Sequence, residues 1–321
     1  MRQLARAASA LGIALAPGVI HAQDVWPSRN ITFVVPYAAG GYTDLVGRMT
    51  APYVESALGR AIIVDNRAGA GGIVGTQAVV NAAPDGYTFC VCSIGAISIA
   101  PFVQKVGYDP VRDLVPIGVV SSIAQVVIVN TNLPVKTLPE LVAYARAHPG
   151  KLNYGSSGAG GLTHYSVELF LARTGTTAVH IPFRGGAQST AAVISGDVDF
   201  SFANMTDALP QIEAGVVRGL AVTSRERSAY LPDLPTVHDT VAPNFIVETW
   251  NGIIAPPGTP EPIVRKMSKI LMKMADDPGV KESMRKAGAD TISNTPDEYR
   301  TQILQEIAQW KPLIGGIADR K

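Results

Sequence analysis

The chain has 321 residues, 47% of them hydrophobic and only 17% charged, so it can bury a large core and is not a disordered polymer. Twenty-seven basic against 26 acidic side chains leave a formal charge of +1, which gives no field to attract nucleic acid. Two cysteines and five scattered histidines provide no metal-ligand or redox-motif spacing.

Arg2 and Arg6, then the apolar run AASALGIALA, then PGVIHA ending at Ala22 have the three-part order of a secretory signal peptide over residues 1–22. The run is too short to anchor in a bilayer, although Ile20 is larger than the alanine such a cleavage site favours. Removing it takes two arginines and no acid, leaving 25 basic against 26 acidic side chains, a net charge of −1. The next element, ITFVV, is predicted to be a buried strand that stops at Pro36, where PYAAGGYTD begins. Leu45, Val46, Met49, Val54 and Leu58 follow at helical spacing, so the glycine pair Gly40 and Gly41 sits at a helix N-terminus, a natural anion seat.

Strand-like runs then recur at Ile62 to Val64, Tyr87 to Cys92, Val115 to Val120, Val126 to Val129, Ala178 to Ile181, Val198 to Phe202 and Gly219 to Thr223. Alternation with helical patterns predicts an α/β fold with mostly parallel sheets. Cys90 and Cys92, two apart in the third strand, point to one face, and strand geometry predicts buried thiols rather than a relaxed disulfide. TLPE at 137–140 and TPDE at 295–298 fit capping boxes with an early proline. PIGVVSSIAQVVIVN reads as a passage from one lobe into a second, and ETWNGIIAPPG as the return. The expected division is 23–124 with 241–321 for lobe 1 and 125–240 for lobe 2, the closing helices from Pro262 and Thr295 packing on lobe 1.

Three more glycine-rich loops follow strands and precede helical patterns: RAGAGGIVG (67–75), YGSSGAGGLTH (154–164) and FRGGAQS (183–189). In open α/β sheets ligands bind at the carboxyl ends of strands, so such loops can converge on one cleft. Backbone N–H groups with Thr43, Ser156, Ser157 and Arg184 suit a carboxylate. Four or five charge-assisted hydrogen bonds at about 1.5–3 kcal/mol each cover the roughly 8 kcal/mol of micromolar binding, and no metal or cofactor is required.

RAGAGGIVG misses G-x-G-x-x-G by one position and has no acid about 20 residues on, so a turn with close helix packing is the better reading than a nucleotide loop. GSSGAGGLTH offers Ser156 or Ser157 with His164 for a serine hydrolase, but the elbow G-x-S-x-G would need glycine at 159, where alanine stands. Binding is preferred to catalysis. Asp44 reads as a first-turn helix cap or a contact to a ligand donor, and Arg184 equally as a solvated arginine or a guanidinium aimed at the cleft. Trp250 can be core or cleft wall, and Tyr42 can lie over the cleft mouth or point to water.

These stretches resemble the Bug-type periplasmic solute receptors of tripartite tricarboxylate transporters. VVPYAAGGYTD, IVDNRAGAGG (with Ala68 where the family has proline), NAAPDGYTF, NYGSSGAGGLTH, HIPFRGG, SGDVDF and APPGTP resemble family blocks in their expected order across nearly the whole mature chain. The resemblance implies a type II periplasmic-binding-protein fold, in which two α/β lobes joined by crossing strands close on a carboxylate. It also implies a periplasmic, monomeric, non-enzymatic receptor that serves the membrane subunits of a tripartite transporter. Carried over position by position, it implies ligand-binding residues Tyr37, Ala39, Gly40, Gly41, Tyr42, Thr43 and Asp44 in the first lobe. In the second it implies Ser156, Ser157, Gly158, Ala159, Gly160, His164, Phe183, Arg184 and Gly185; Ser93, Asn204 and Trp250 are further candidates for the same site. Tyr42, and FRGG in place of the more usual YKG, point to an aromatic dicarboxylate such as terephthalate beside a citrate-like or aliphatic acid. The alternatives are a hydrolase built on Ser157 and His164, or a sensor whose closed lobes dock on a signalling partner.

Overall fold

A computed structural model describes residues 26–318; the expected signal peptide, 1–22, lies outside them. Among the described residues there are ten strands: β1 (Ile31–Val35), β2 (Ile62–Asn66), β3 (Thr88–Ser93), β4 (Val115–Asn130), β5 (Asn153–Ser156), β6 (Val179–Pro182), β7 (Phe200–Asn204), β8 (Val217–Val222), β9 (Glu248–Ala255) and β10 (Asp290–Thr291). Their order is β2-β1-β3-β9-β4-β7-β5-β6, with β8 and β10 also paired to β4. Alternate residues of β1 and β3 feed opposite faces. Ile31, Phe33, Val35, Phe89 and Val91 join one apolar cluster, and Val34, Cys90 and Cys92 the other. Strands buried on both faces read as continuous apolar runs, which is why these were legible.

The two runs expected at 115–120 and 126–129 are one 16-residue strand. Through Ala124 β4 pairs with β9, and from Gln125 it pairs with β7. Register shifts at 116–118, 119–121 and 127–128 bend it, so a single strand serves both lobes. The returning β9 lies antiparallel to β3 and β4. Each lobe therefore has a parallel core, β1 with β2 and β3, or β5 with β6 and β7, flanked by antiparallel crossing strands. The expectation of mostly parallel pairing holds only within those cores, because a strand that crosses and one that comes back must run in opposite directions.

Two local readings meet different outcomes. Thr295 and Glu298 form a reciprocal capping box: the Thr295 N–H donates to Glu298 Oε2 at 2.8 Å and the Glu298 N–H to Thr295 Oγ1 at 3.3 Å. This starts the helix Pro296–Ala318, which packs on the first lobe together with Glu261–Asp276. Cys90 and Cys92, by contrast, are joined as a disulfide and are not free thiols. Their Cα atoms are 5.2 Å apart, inside the usual disulfide range, whereas an ideal strand would hold them at about 6.6 Å. Local contraction of β3 overrides the strand geometry from which thiols were expected.

Candidate functional site

Four helices begin at the carboxyl ends of strands and point their N-termini into one space between the lobes. They are Tyr42–Leu58 after β1, Leu162–Thr174 after β5, Gly186–Ser195 after β6 and Met205–Glu213 after β7. Their N-cap residues Gly41, Gly161, Gly185 and Asn204 make no side-chain capping bond. A helix N-terminus leaves several N–H groups without intrahelical partners, and the macrodipole adds partial positive charge there. The cavity between them has about 30 Å³ of water-accessible volume and is lined by Tyr37, Gly41, Tyr42, Thr43, Ser93, Ser157, Leu162, Thr163, Gly186, Asn204 and Thr249. That is room for about two waters.

The lobes touch around it. The Ala38 N–H donates to Arg184 O at 3.1 Å, and Gln104 Nε2 to Ala159 O at 3.4 Å. Gly71, in the RAGAGGIVG loop, adopts φ +63° and lies so close to the opposite loop that a methyl group there would collide with Ala159 O and come within 3.0 Å of Gly161 N. Tyr37 braces this loop by donating its hydroxyl to Gly71 O at 2.9 Å, with Ser93 Oγ at 3.0 Å. Burial raises the Tyr37 pKa against the opposing Ser93 hydrogen bond, so the phenol remains a neutral donor. Any guest larger than water requires these contacts to part and re-form around it.

Of the residues expected to bind, Tyr37, Gly41, Tyr42, Thr43, Ser93, Ser157 and Asn204 line the cavity; the others do different things. Asp44 holds the loop: its carboxylate accepts from the Gly40 N–H and Arg48 Nε, both at 2.9 Å, and from Asn66 Nδ2 at 2.9 Å. Burial acts to raise its pKa, but the bonds from Arg48, Gly40 and Asn66 outweigh it and hold the carboxyl below its usual value. Ala39 is exposed, so the first loop presents Gly41 and not its full length. Gly158, Ala159 and Gly160 meet the first lobe at Gly71 and Gln104, and Gly185 packs against Ala38.

Ser156 is fully buried, its hydroxyl 2.6 Å from His180 Nε2. The rings of His180 and His164 stack at 3.9 Å behind the loop, and His164 Nδ1 accepts from the Gly160 N–H. Ser157 Oγ pairs with Thr163 Oγ1 at 2.8 Å. The serine hydroxyl beside a histidine nitrogen in this lobe is therefore that of Ser156, with His180, and it is fully buried.

Phe183 is half-buried beside Gly155 and does not line the cavity. Arg184 is exposed, and its backbone is what the described residues engage: its N–H donates to Gln188 Oε1 at 3.1 Å. We expect Arg184→Ala to change carboxylate affinity less than threefold by calorimetry, and a tenfold loss would return the guanidinium to the site. Trp250 is not cleft wall. Its indole is buried, donates to Glu306 Oε1 at 2.6 Å and packs edge-on against Tyr299, because alternation along β9 turns it to the core while Thr249 faces the cavity.

The sequence reading missed Thr249 and, more consequentially, Asp207. Asp207 is 7% exposed and takes hydrogen bonds from the Tyr42 N–H of the first lobe and from Asn204 Nδ2 at 3.3 Å. Burial pushes its carboxyl up to about 7 against those two bonds. The signal available was an acid three residues past a strand-end asparagine, in FANMTD.

Two α/β lobes joined by crossing strands and closed on a cavity rimmed by helix N-termini define a binding protein of the type II periplasmic-binding-protein fold. The model of the tripartite tricarboxylate transporter family receptor matches residues 46–318, and the chain belongs to this family. Among solved structures it is similar to the periplasmic binding protein BugD, with 33% identity and a TM-score of 0.88 over 91% of this chain and 99% of that one. It is also similar to an R. palustris protein with adipate (31%, 0.88, 91% and 98%). MatC from Rhodopseudomonas palustris with bound malate gives 30%, 0.86, 90% and 100%.

Proposed function

We propose that this receptor captures a small organic carboxylate between its lobes in the periplasm and presents it to the membrane subunits of a tripartite transporter, acting as a monomer and not as an enzyme. The observation that carries the reading is the convergence of four helix N-termini, none capped by its own side chain, on one cavity that both lobes line. The guest's carboxylate takes those N–H groups, and contacts to both lobes favour the closed state over the open one. Lobe 1 is 23–124 with 241–321 and lobe 2 is 125–240, a division supported by the change of β4's partner between Ala124 and Gln125. Residues 1–22 direct export. The adipate and malate of the similar proteins support a di- or tricarboxylate guest. Terephthalate extends the class to an aromatic dicarboxylate that would lie against Tyr37 and Tyr42.

A thermal-shift panel of aliphatic, hydroxylated and aromatic carboxylates tests this. A cognate acid at 100 times its Kd adds about 2.7 kcal/mol of stability. A melt unmoved by every acid would refute the reading, and so would covalent labelling of Ser156 or Ser157 by a fluorophosphonate.

A further inference from the structure

Asp207 belongs to the second lobe, on the first turn of Met205–Glu213, yet its carboxylate lies against the ligand loops of both lobes. A methyl group at Gly186 would collide with its Oδ2, and one at Gly41 would come within 3.8 Å of its Oδ1. Its partners are one backbone N–H from the first lobe and the amide of Asn204. Asn204 lines the cavity, and its own Oδ1 is buried without a hydrogen-bond partner among the described residues. Buried acceptor oxygens of Asp207 and Asn204 therefore lie behind one corner of the cavity, whereas the helix N-termini around it present donors. A second ionised carboxylate brought to that corner would meet like charge with little solvent to screen it. A hydroxyl would satisfy one of these oxygens, and an ammonium group could satisfy both.

We propose that Asp207, with Asn204, is a specificity determinant: the receptor selects a carboxylate whose far end offers a hydrogen-bond donor, and takes a dicarboxylate only together with a proton. This rests on the carboxylate-receptor reading of the same cavity. Burial raises the Asp207 pKa to about 7, so the proton resides on Asp207 itself as pH falls below neutrality, turning one acceptor into a donor. The groups facing it from the packed elements are the Tyr42 N–H, Gly186 and Asn204. The Tyr42 phenol, raised by burial, stays neutral and donates to Ser121, and nearby Asp44 is committed to Arg48 and Asn66. Asp207 is thus the group expected to titrate in this corner between pH 5.5 and 8.

Calorimetry with three matched pairs tests the idea: adipate against 6-hydroxyhexanoate, succinate against 4-hydroxybutyrate, and terephthalate against 4-(hydroxymethyl)benzoate. At pH 8 the hydroxy acid of the best-bound pair should bind at least tenfold more tightly than its dicarboxylate. Lowering the pH to 5.5 should strengthen the dicarboxylate at least tenfold, and the uptake of about one proton on binding at pH 8 should fall towards zero at pH 5.5, where Asp207 already holds it. Asp207→Asn, with Asp207→Ser as a second variant, should strengthen the dicarboxylate tenfold at pH 8 and abolish the proton uptake. An unchanged preference and unchanged pH slope in both variants would overturn the assignment while leaving the carboxylate receptor standing. Failure of all six acids to bind wild type and variants alike would instead overturn the receptor reading and this assignment with it.

Discussion

Gly71→Val should weaken carboxylate binding at least ~100-fold while leaving a folded protein. Gly71 sits at φ +63°, where a β-branched residue costs about 1–2 kcal/mol, a loss a domain of this size can absorb. The larger effect is between the lobes. The new side chain meets the Ala159 carbonyl and the Gly161 N–H, which are backbone and cannot rotate aside, so it acts as a wedge against closure. Closure brings donors from the second lobe to a guest held by the first, and losing two charge-assisted hydrogen bonds removes about 3 kcal/mol or more, a factor of ~100. Calorimetry with whichever acid the thermal-shift panel identifies gives the affinity. Small-angle scattering should show that the acid no longer shrinks the molecule. Wild-type affinity in this variant would mean that the contact between the RAGAGGIVG and GSSGAGG loops has no part in capture.

Glu306→Gln should stabilise the ligand-free protein at pH 8 by roughly 2–3 kcal/mol and have little effect at pH 5. Burial pushes Glu306 up to about 7, against hydrogen bonds from Gln302 and Trp250. In the unfolded chain the same group titrates near 4.5, so between those values the folded protein holds the extra proton. Stability therefore falls as pH rises through that window and is lowest above 7, where the folded state must ionise a buried acid. The amide still accepts from the Trp250 indole but never ionises, so chemical denaturation of the variant should show a flatter pH profile. Glu306 does not line the cavity, and affinity should stay within twofold. A wild-type pH slope in the variant would show that Glu306 is not the group responsible.

Much of this protein was fixed by local chemistry. Apolar runs such as ITFVV and YTFCVC, TPDE before a helical pattern, and glycines at strand ends specify strands, a cap and turns whatever surrounds them, because backbone conformation and side-chain alternation act over a few residues. That is enough to place the lobes in order and to mark which loops can carry bare N–H groups. It does not say where a side chain goes once two elements pack. Asp44 reads as a cap sooner than as a contact, and only the positions of Arg48 and Asn66 make it a brace for its own loop. Arg184 and Trp250 looked like cleft residues, yet one faces water and the other turns to Glu306, since the direction of a side chain at a strand end or crossing depends on register and bend. The contraction that joins Cys90 to Cys92 and the reach of Asp207 to the opposite lobe belong to the same class. The sequence alone determined that donors would gather at strand ends. Tertiary packing decided which acid would stand among them, because burial and proximity are properties of the whole chain folded on itself.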